Sequence, residues 1–237
     1  MLEIKNYTKS YVKGSNVVED LSLKVEKGDI YAFVGHNGAG KTTTIKSIVG
    51  ILDFEKGDIL IDNKSIKKHE IECKMKMAYI PDNPDLYEHL KGISYLNFIA
   101  DIYRVSKEKR EELIKKYADA FEITKNLGDP ISSYSHGMKQ KLAIISALIH
   151  EPKLLILDEP FVGLDPKASH TLKEIMKEMV KKDCSIFFST HVLEVAEKLC
   201  NKIAIIKEGK IVVEGNMKEV IKYKSLEDTF MQLVDNA

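Results

Sequence analysis

Three short segments of the chain are apolar at every position, which is typical of strands covered on both faces of a sheet. They are residues 30–34, 154–157 and 186–188. Helical spacing occurs between such segments: Leu172, Ile175 and Met179 recur every three or four positions and form one apolar stripe. Strands that alternate with helices build parallel sheets. The pattern predicts an α/β fold around a parallel sheet.

The beginning of the chain follows a different pattern. Leu21, Leu23 and Val25 alternate with polar residues, as half-buried antiparallel strands do. We therefore expect residues 1–30 to contribute a small antiparallel β layer beside the parallel sheet.

The segment 86–151 is rich in helical spacing, as at Leu113 and Tyr117, and contains no clear strand. We interpret it as a helical subdomain inserted into a core made of residues 1–85 and 152–215. We therefore expect residues 1–237 to form a single domain, in which the helical subdomain interrupts the alternation of strands and helices.

Residues 216–237 are interpreted as a C-terminal appendage. Leu226, Phe230 and Leu233 give this segment a short amphipathic helical pattern. The chain shows no internal repeat and no long heptad run, which argues against tandem copies and coiled-coil arms.

Composition and charge narrow the class of protein. The 36 basic residues balance 36 acidic ones, so nothing indicates the basic surface that nucleic-acid binding usually requires. No apolar stretch reaches the roughly 18–20 residues that a membrane-spanning helix needs, so we expect a cytoplasmic chain. Cys73, Cys184 and Cys200 are widely spaced and form no Cys-x-x-Cys pair, which favours structural cysteines over disulfides or a zinc site.

A phosphate-binding loop follows the first buried strand. Residues 35–42 read Gly-His-Asn-Gly-Ala-Gly-Lys-Thr and match Gly-x-x-x-x-Gly-Lys-[Ser/Thr], with a helical pattern directly after them. The glycines allow backbone N–H groups to surround the β-phosphate. Lys41 adds a positive charge near the β- and γ-phosphates, and the Thr42 hydroxyl is placed to coordinate Mg²⁺. The predicted ATP-binding residues here are Gly35, His36, Asn37, Gly38, Ala39, Gly40, Lys41, Thr42 and Thr43.

Two acidic residues follow the second buried strand. Asp158 and Glu159 come at its carboxyl end, where open α/β sheets bind their ligands. Asp158 is predicted to hold Mg²⁺, directly or through water, and Glu159 to polarise the water that attacks the γ-phosphate. A solvated acidic turn is the alternative interpretation, and the phosphate loop upstream makes it the weaker one.

These motifs resemble the nucleotide-binding subunit of ATP-binding-cassette (ABC) transporters over nearly the whole chain, which implies a RecA-like P-loop NTPase core. Residues 134–138 read Tyr-Ser-His-Gly-Met where the family usually has the signature Leu-Ser-Gly-Gly-Gln. Ser135 and Gly137 match the family, and the departures at His136 and Met138 look like a variant common in bacterial exporters. The resemblance implies that Ser135 and Gly137 contact ATP held by a second subunit. Ser135 is also expected to cap the helix that follows.

Other family elements occur in order along the chain. Asp165, in Gly-Leu-Asp, resembles a residue of the dimer-interface loop, and His191 resembles the histidine that contacts the γ-phosphate. The family places an aromatic residue on the adenine ring; Tyr11 is the favoured candidate and Tyr7 the competing one. The catalytic residues implied by the resemblance are Glu159, His191 and Lys41.

Asp82 departs from the family pattern. The family normally has a glutamine here, which senses Mg²⁺ and the attacking water. An aspartate accepts a hydrogen bond from a Mg²⁺-bound water, but an ionised aspartate cannot donate one. The candidate metal-site residues are therefore Thr42, Asp158 and Asp82, and residues 83–90 are a candidate contact surface.

The resemblance implies an ATPase that pairs with a second ABC subunit and drives separate transmembrane permease subunits at the cytoplasmic face of the membrane. The signature and the tail are most similar to exporters of drugs or antimicrobial peptides. Two alternatives remain open. One is a soluble ABC ATPase acting on nucleic acid or ribosomes. The other is a nucleotide-gated module that binds ATP without hydrolysing it, motivated by Asp82 and the altered signature.

Overall fold

A computed structural model describes residues 1–12, 14–222 and 224–235. The strands are β1 (Leu2–Val12), β2 (Ser15–Val25), β3 (Ile30–Val34), β4 (Lys56–Ile61), β5 (Lys64–Ser65), β6 (Met77–Ile80), β7 (Leu154–Asp158), β8 (Ser185–Thr190), β9 (Lys202–Lys207) and β10 (Lys210–Asn216). The helices are α1 (Lys41–Ile48), α2 (Glu70–Lys74), α3 (Gly92–Ile102), α4 (Lys107–Ala120), α5 (His136–Leu148), α6 (Pro166–Val180), α7 (Leu193–Leu199), α8 (Met217–Ile221) and α9 (Leu226–Asp235).

The larger sheet has the strand order β10-β9-β3-β8-β7-β6. Its neighbouring strands are parallel, except that β10 pairs antiparallel with β9. All residues of β3, β7 and β8 are buried, because layers of structure cover both faces of the sheet. The three apolar segments are therefore central strands, as predicted. Since parallel strands end at one edge, the residues that follow them meet there.

The smaller sheet has the order β2-β1-β4-β5 and is antiparallel throughout. Leu21, Leu23 and Val25 of β2 are all buried, which confirms the predicted antiparallel layer. The layer also includes β4 and β5, which the sequence pattern did not single out. Leu2 pairs with Val25 on one side and with Ile61 on the other, so β1 lies between β2 and β4.

Two hydrophobic cores lie on opposite faces of the larger sheet. One face contributes Tyr31 and Phe33 to a core shared with the antiparallel layer and with Ile45 of α1. The other face contributes Ala32 and Val34 to a core shared with helices α3 to α7. The sheet thus forms the middle layer of the molecule, and the alternation of its side chains divides the apolar residues between the two cores.

Helices α3, α4 and α5 occupy most of the stretch 86–151, as its spacing predicted. The tail contains α8 and α9, while Tyr223, Asn236 and Ala237 lie outside the described residues. The three cysteines are buried and free of disulfides, in agreement with a structural role. Within the described ranges, no helix combines the length and the apolar character needed to cross a membrane.

Candidate active site

The phosphate loop joins β3 to α1, and its backbone is possible only with glycine at two positions. A Cβ atom on Gly35 would lie 2.5 Å from the carbonyl oxygen of Ile206, and one on Gly40 would lie 2.8 Å from Cγ2 of Val18. Gly40, the residue before α1, also has a φ of 104°, a conformation that favours glycine. The glycines of the motif therefore let the loop pack tightly against β9 and β2.

The Lys41 side chain is held inside this loop. Its Nζ atom donates to the carbonyl oxygens of Gly35 (2.6 Å) and His36 (3.2 Å) and lies 3.8 Å from Oε1 of Glu159. Burial lowers the pKa of Lys41, and the carboxylates of Glu159 and Asp158 oppose that shift. The ammonium group thus lies between the loop carbonyls and the acidic residues that follow β7.

Glu159 lies between Lys41 and His191. Its Oε2 atom is 3.0 Å from Nδ1 of His191 and accepts the backbone N–H of His191 at 3.3 Å. The Glu159 backbone adopts a φ of 48°, which is uncommon for a residue with a side chain, and its N–H donates to Oγ of Ser189 at 3.1 Å. The adjacent ends of β7 and β8 therefore fix both the backbone and the carboxylate of Glu159.

Asp158 is almost fully buried, and only one of its two carboxylate oxygens accepts a hydrogen bond. Its Oδ1 atom accepts from the Ser189 hydroxyl at 2.5 Å, whereas Oδ2 has no hydrogen-bond partner in the described structure. Burial raises the pKa of Asp158, and the hydrogen bond from Ser189 and the nearby Thr42 hydroxyl partly offset this. A buried, unpartnered carboxylate oxygen beside the Thr42 hydroxyl fits a hard cation such as Mg²⁺.

Among the described residues, no three His, Cys, Asp or Glu side chains form a ready-made metal cluster. Asp158 and Thr42 alone supply too few ligands for a hexacoordinate ion. Phosphate oxygens of a nucleotide, together with water, would complete the coordination of Mg²⁺, as is usual for phosphoryl-transfer sites.

An open cleft connects these groups. It is lined by Val17, His36, Asn37, Gly38, Gly40, Lys41, Thr42, Thr43, Asp82 and Glu159. Asp82 is exposed there, and its Oδ1 atom accepts the N–H of its neighbour Asn83 at 2.9 Å. The cleft therefore places Asp82 with the phosphate loop, as the sequence suggested for a metal-site residue.

The two tyrosine candidates for adenine stacking lie in different environments. Tyr7 is wholly buried and its hydroxyl lies 2.8 Å from Oγ of Ser47, so its ring is not accessible to a ligand. Tyr11 is 59% exposed, and its hydroxyl lies 3.3 Å from Oγ1 of Thr43, just after the phosphate loop. Of the two rings, only that of Tyr11 is available beside the cleft.

The signature segment lies apart from the cleft. Ser135 caps α5, and its Oγ atom accepts the N–H of Met138 at 3.3 Å, as expected for a helix N-cap. Among the described residues, those that line the cleft at the phosphate loop do not include Ser135 or Gly137. The structure of one chain thus brings Lys41 and Glu159 together but leaves the signature serine outside their site.

The signature helix contacts the loop that carries Asp165. Nζ of Lys141 lies 2.8 Å from Oδ2 of Asp165, and this ion pair lowers the pKa of Asp165. The other carboxylate oxygen of Asp165 accepts the N–H of Ala168 at 2.8 Å and caps α6. The His136 ring packs against Gly163, where a Cβ atom would approach it to 2.8 Å. The two segments therefore form one contiguous surface.

Sequence reasoning missed Ser189 as a site residue. Its hydroxyl donates to Asp158 and accepts from the backbone of Glu159, so it links the two acidic residues. The available signal was a polar residue at the end of an otherwise apolar strand, two positions before His191.

The fold and the site define a P-loop ATPase, and comparison with known proteins gives its family. Residues 18–162 match the family model described as ABC transporter. The chain is 35% identical over 238 residues to EcsA of Bacillus subtilis, an ABC-type transporter ATP-binding protein, covering 98% of this chain and 96% of EcsA. It is 31% identical over 233 residues to the linearmycin resistance ATP-binding protein LnrL of the same species, covering 98% and 74%.

Solved structures agree with this family. A structure described as the ATP-binding subunit of an ABC transporter superposes with a TM-score of 0.95 at 35% identity, covering 98% of this chain and 99% of the other. A dimeric ATP-binding cassette with ADP and phosphate bound shares the fold at 22% identity, with a TM-score of 0.82 and coverage of 92% and 99%. The chain belongs to the ABC transporter family and is one of its ATP-binding subunits, for which ATPase activity is expected.

Proposed function

We propose that this chain hydrolyses ATP as one half of a dimer that drives an exporter, together with separate transmembrane permease subunits at the cytoplasmic face of the membrane. The observation that carries the proposal is the position of the Glu159 carboxylate. It lies 3.8 Å from Nζ of Lys41 and 3.0 Å from Nδ1 of His191, at the edge of the phosphate-binding cleft. A carboxylate oriented by two basic side chains beside a phosphate site is suited to accept a proton from an attacking water.

Different residues of the site bind the phosphates, activate the attacking water and hold the metal ion. Backbone N–H groups from Gly35 to Thr43 and the Lys41 ammonium bind the phosphates, and Glu159 orients the water and takes its proton. His191 holds Glu159 and faces the position of the γ-phosphate. Mg²⁺, held by Asp158 and Thr42, would neutralise charge that develops on the phosphate oxygens.

Asp82 and Tyr11 complete the proposed site. The exposed Asp82 side chain lines the cleft, and its negative charge adds to the effect of burial in raising the pKa of the Asp158 carboxyl, which supports a place close to the metal. Tyr11 offers its exposed ring beside Thr43 for stacking on the adenine base.

The signature surface supports a composite site between two subunits. Ser135 and Gly137 are accessible but do not line the cleft of their own chain. Ser135 presents a hydroxyl at the N-terminus of the 13-residue helix α5, a position that suits an anionic phosphate. A second subunit arranged head to tail would bring its Ser135, Gly137 and Asp165 against the ATP bound by the first.

The helical part of the chain offers a surface for the membrane subunits. We divide the chain into a core (residues 1–85 and 152–215), a helical subdomain (86–151) and an appendage (216–237). Tyr87 and Phe98 are 53% and 43% exposed, and their ring centroids lie 5.8 Å apart. Exposed aromatic residues in contact with each other are typical of protein interfaces. This patch overlaps the segment 83–90, directly after Asp82, so a contact made there can reach the cleft.

The direction of transport is inferred from relatives. LnrL is named for resistance to linearmycin, and removal of a toxic compound from the cell is a direct route to resistance. Export is proposed for this chain as well, because 98% of this chain aligns with LnrL.

The proposal is tested by isolating the native complex. The tagged chain is purified from detergent-solubilised membranes of its own host, and co-purifying proteins are identified. We expect a multi-span membrane protein in a fixed ratio to the chain, and ATP hydrolysis that rises when the two are reconstituted in vesicles. Recovery with ribosomes or nucleic acid in place of a membrane protein would contradict the proposal. An isolated complex that binds ATP and releases no phosphate would reduce the chain to a nucleotide-gated module.

A further inference from the structure

An aromatic residue of the C-terminal helix touches the phosphate loop. The ring of Phe230, in α9, lies 4.9 Å from the ring of His36 with an interplanar angle of 60°, an edge-on contact. Phe230 is 7% exposed, whereas His36 is exposed at the cleft. A residue near the end of the chain therefore packs directly on the second residue of the nucleotide-binding loop.

His36 takes part in the loop through its backbone as well as its ring. Its carbonyl oxygen accepts the Lys41 ammonium at 3.2 Å and the N–H of Ala39 at 3.2 Å. A change in the position of His36 would therefore move a direct ligand of the lysine that binds phosphate. The Phe230 contact acts at this point of the loop.

The other end of α9 is fixed to the helix that follows His191. The N–H of Leu226 donates to Oε2 of Glu197, in α7, at 2.8 Å, and the Leu226 side chain is fully buried. The hydroxyl of Ser225 accepts the N–H of Asp228 at 3.0 Å and closes the first turn of α9. Helix α9 thus bridges from α7 to the phosphate loop, with Leu226 and Phe230 on one face.

We propose that Phe230 is a positioning residue for nucleotide binding: it holds His36, and through the His36 carbonyl it holds the Lys41 ammonium, in the arrangement that receives the phosphates. The C-terminal helix is then a support of the ATP site rather than a passive appendage. This inference rests on the ATP binding of the proposed function, but not on export or on the permease.

The test is a double-mutant cycle on the affinity of the full-length purified chain for a fluorescent ATP analogue. Phe230→Ala should raise the Kd about two- to tenfold, as loss of an aromatic pair predicts. In a His36→Ala background the same substitution should leave Kd unchanged, because the contact is already absent. Phe230→Leu, which keeps an apolar side chain in the core, should show the same coupling with a smaller rise and serves if the alanine variant does not fold.

Two neighbours on α9 provide matched controls. Met231 is 49% exposed, and Leu233 is half-buried in the same apolar core. Met231→Ala should leave both Kd and Tm unchanged, and Leu233→Ala should lower Tm without raising Kd. An equal rise in Kd for Phe230→Ala in both His36 backgrounds would overturn the inference. So would an unchanged Kd for Phe230→Ala, or a Leu233→Ala effect on Kd as large as that of Phe230→Ala. None of these results bears on export, which the membrane purification tests separately.

Discussion

His191 holds the carboxylate of Glu159 at two points: its Nδ1 atom lies 3.0 Å from Oε2, and its backbone N–H donates to the same oxygen at 3.3 Å. The ring contact depends on the side chain, whereas the backbone contact does not. Glu159 is therefore oriented partly by the ring of His191 and partly by the turn that follows β8.

Removal of the His191 ring should impair hydrolysis more than binding. We expect His191→Ala to lower kcat for ATP on the order of 10- to 100-fold, since slight misplacement of a reacting group has effects of this size. KM should change little, because the phosphate loop is intact. Steady-state phosphate release over a range of ATP concentrations measures both quantities. A raised KM with an unchanged kcat would place His191 in binding and contradict its proposed role.

Ser189 should prove as important as its contacts suggest. Ser189→Ala removes the hydrogen bond to the Asp158 carboxylate, worth about 1.5–3 kcal/mol, and the hydrogen bond from the Glu159 backbone N–H, worth about 1 kcal/mol. We expect kcat to fall about tenfold or more. Ser185 is a matched control, since it is equally buried at the opposite end of β8 and bonds to Glu26. If Ser185→Ala and Ser189→Ala lowered kcat equally, the effect would be one of general stability.

The Asp158 carboxylate should lower the stability of the folded chain, although it is needed for catalysis. Burial raises the pKa of its carboxyl, so ionisation of this carboxyl destabilises the folded state relative to the unfolded one. Asp158→Asn removes that charge, and each 1 kcal/mol gained would raise Tm by about 2–4 °C. The same variant should lose Mg²⁺-dependent phosphate release. A lower Tm in differential scanning calorimetry at pH 7 would show that the charge is compensated in the folded chain.

His150 should make stability depend on pH. Its ring stacks on Tyr103 with centroids 3.6 Å apart, and burial lowers its pKa from 6.5 to about 4. The unfolded chain takes up a proton below pH 6.5 and the folded chain does not, so this contribution is complete above pH 6.5 and is lost as pH falls to 4. The loss amounts to about 3 kcal/mol.

The test of His150 compares unfolding free energies in urea between pH 7 and pH 4. His150→Gln cannot take up a proton, so its stability should fall less steeply than that of the unaltered chain over this range. His69, whose side chain is 48% exposed, serves as the control position. An identical pH dependence in the His150→Gln variant would show that other groups cause the loss.

Much of the fold and part of the site could be predicted from the chain alone. Continuous apolar segments identify central strands because burial on both faces favours apolar residues, and this held for the apolar parts of β3, β7 and β8. The phosphate loop was also predictable from its glycines, because the fold has no room for a side chain at Gly35 or Gly40.

The remainder depended on contacts between residues far apart in sequence. The links from Phe230 to His36 and from Ser189 to Asp158 span long stretches of chain, and no local pattern encodes them. Strand β5 was missed because it has only two residues, and β4 because its first half is polar and exposed, so its apolar alternation is weak. Tertiary packing, rather than local propensity, determines these features.

Glu159 is proposed to be the catalytic base of an ATPase that works as a dimer. The direct measurement is phosphate release by Glu159→Gln, together with its mass in solution with ATP, beside a control in which exposed Glu174 is changed to Gln. We expect Glu159→Gln to lose about 100-fold or more of its activity, as removal of a general base does, and to accumulate as an ATP-bound dimer. Phosphate release at the unaltered rate by the Glu159→Gln variant would contradict the role of Glu159 as the catalytic base.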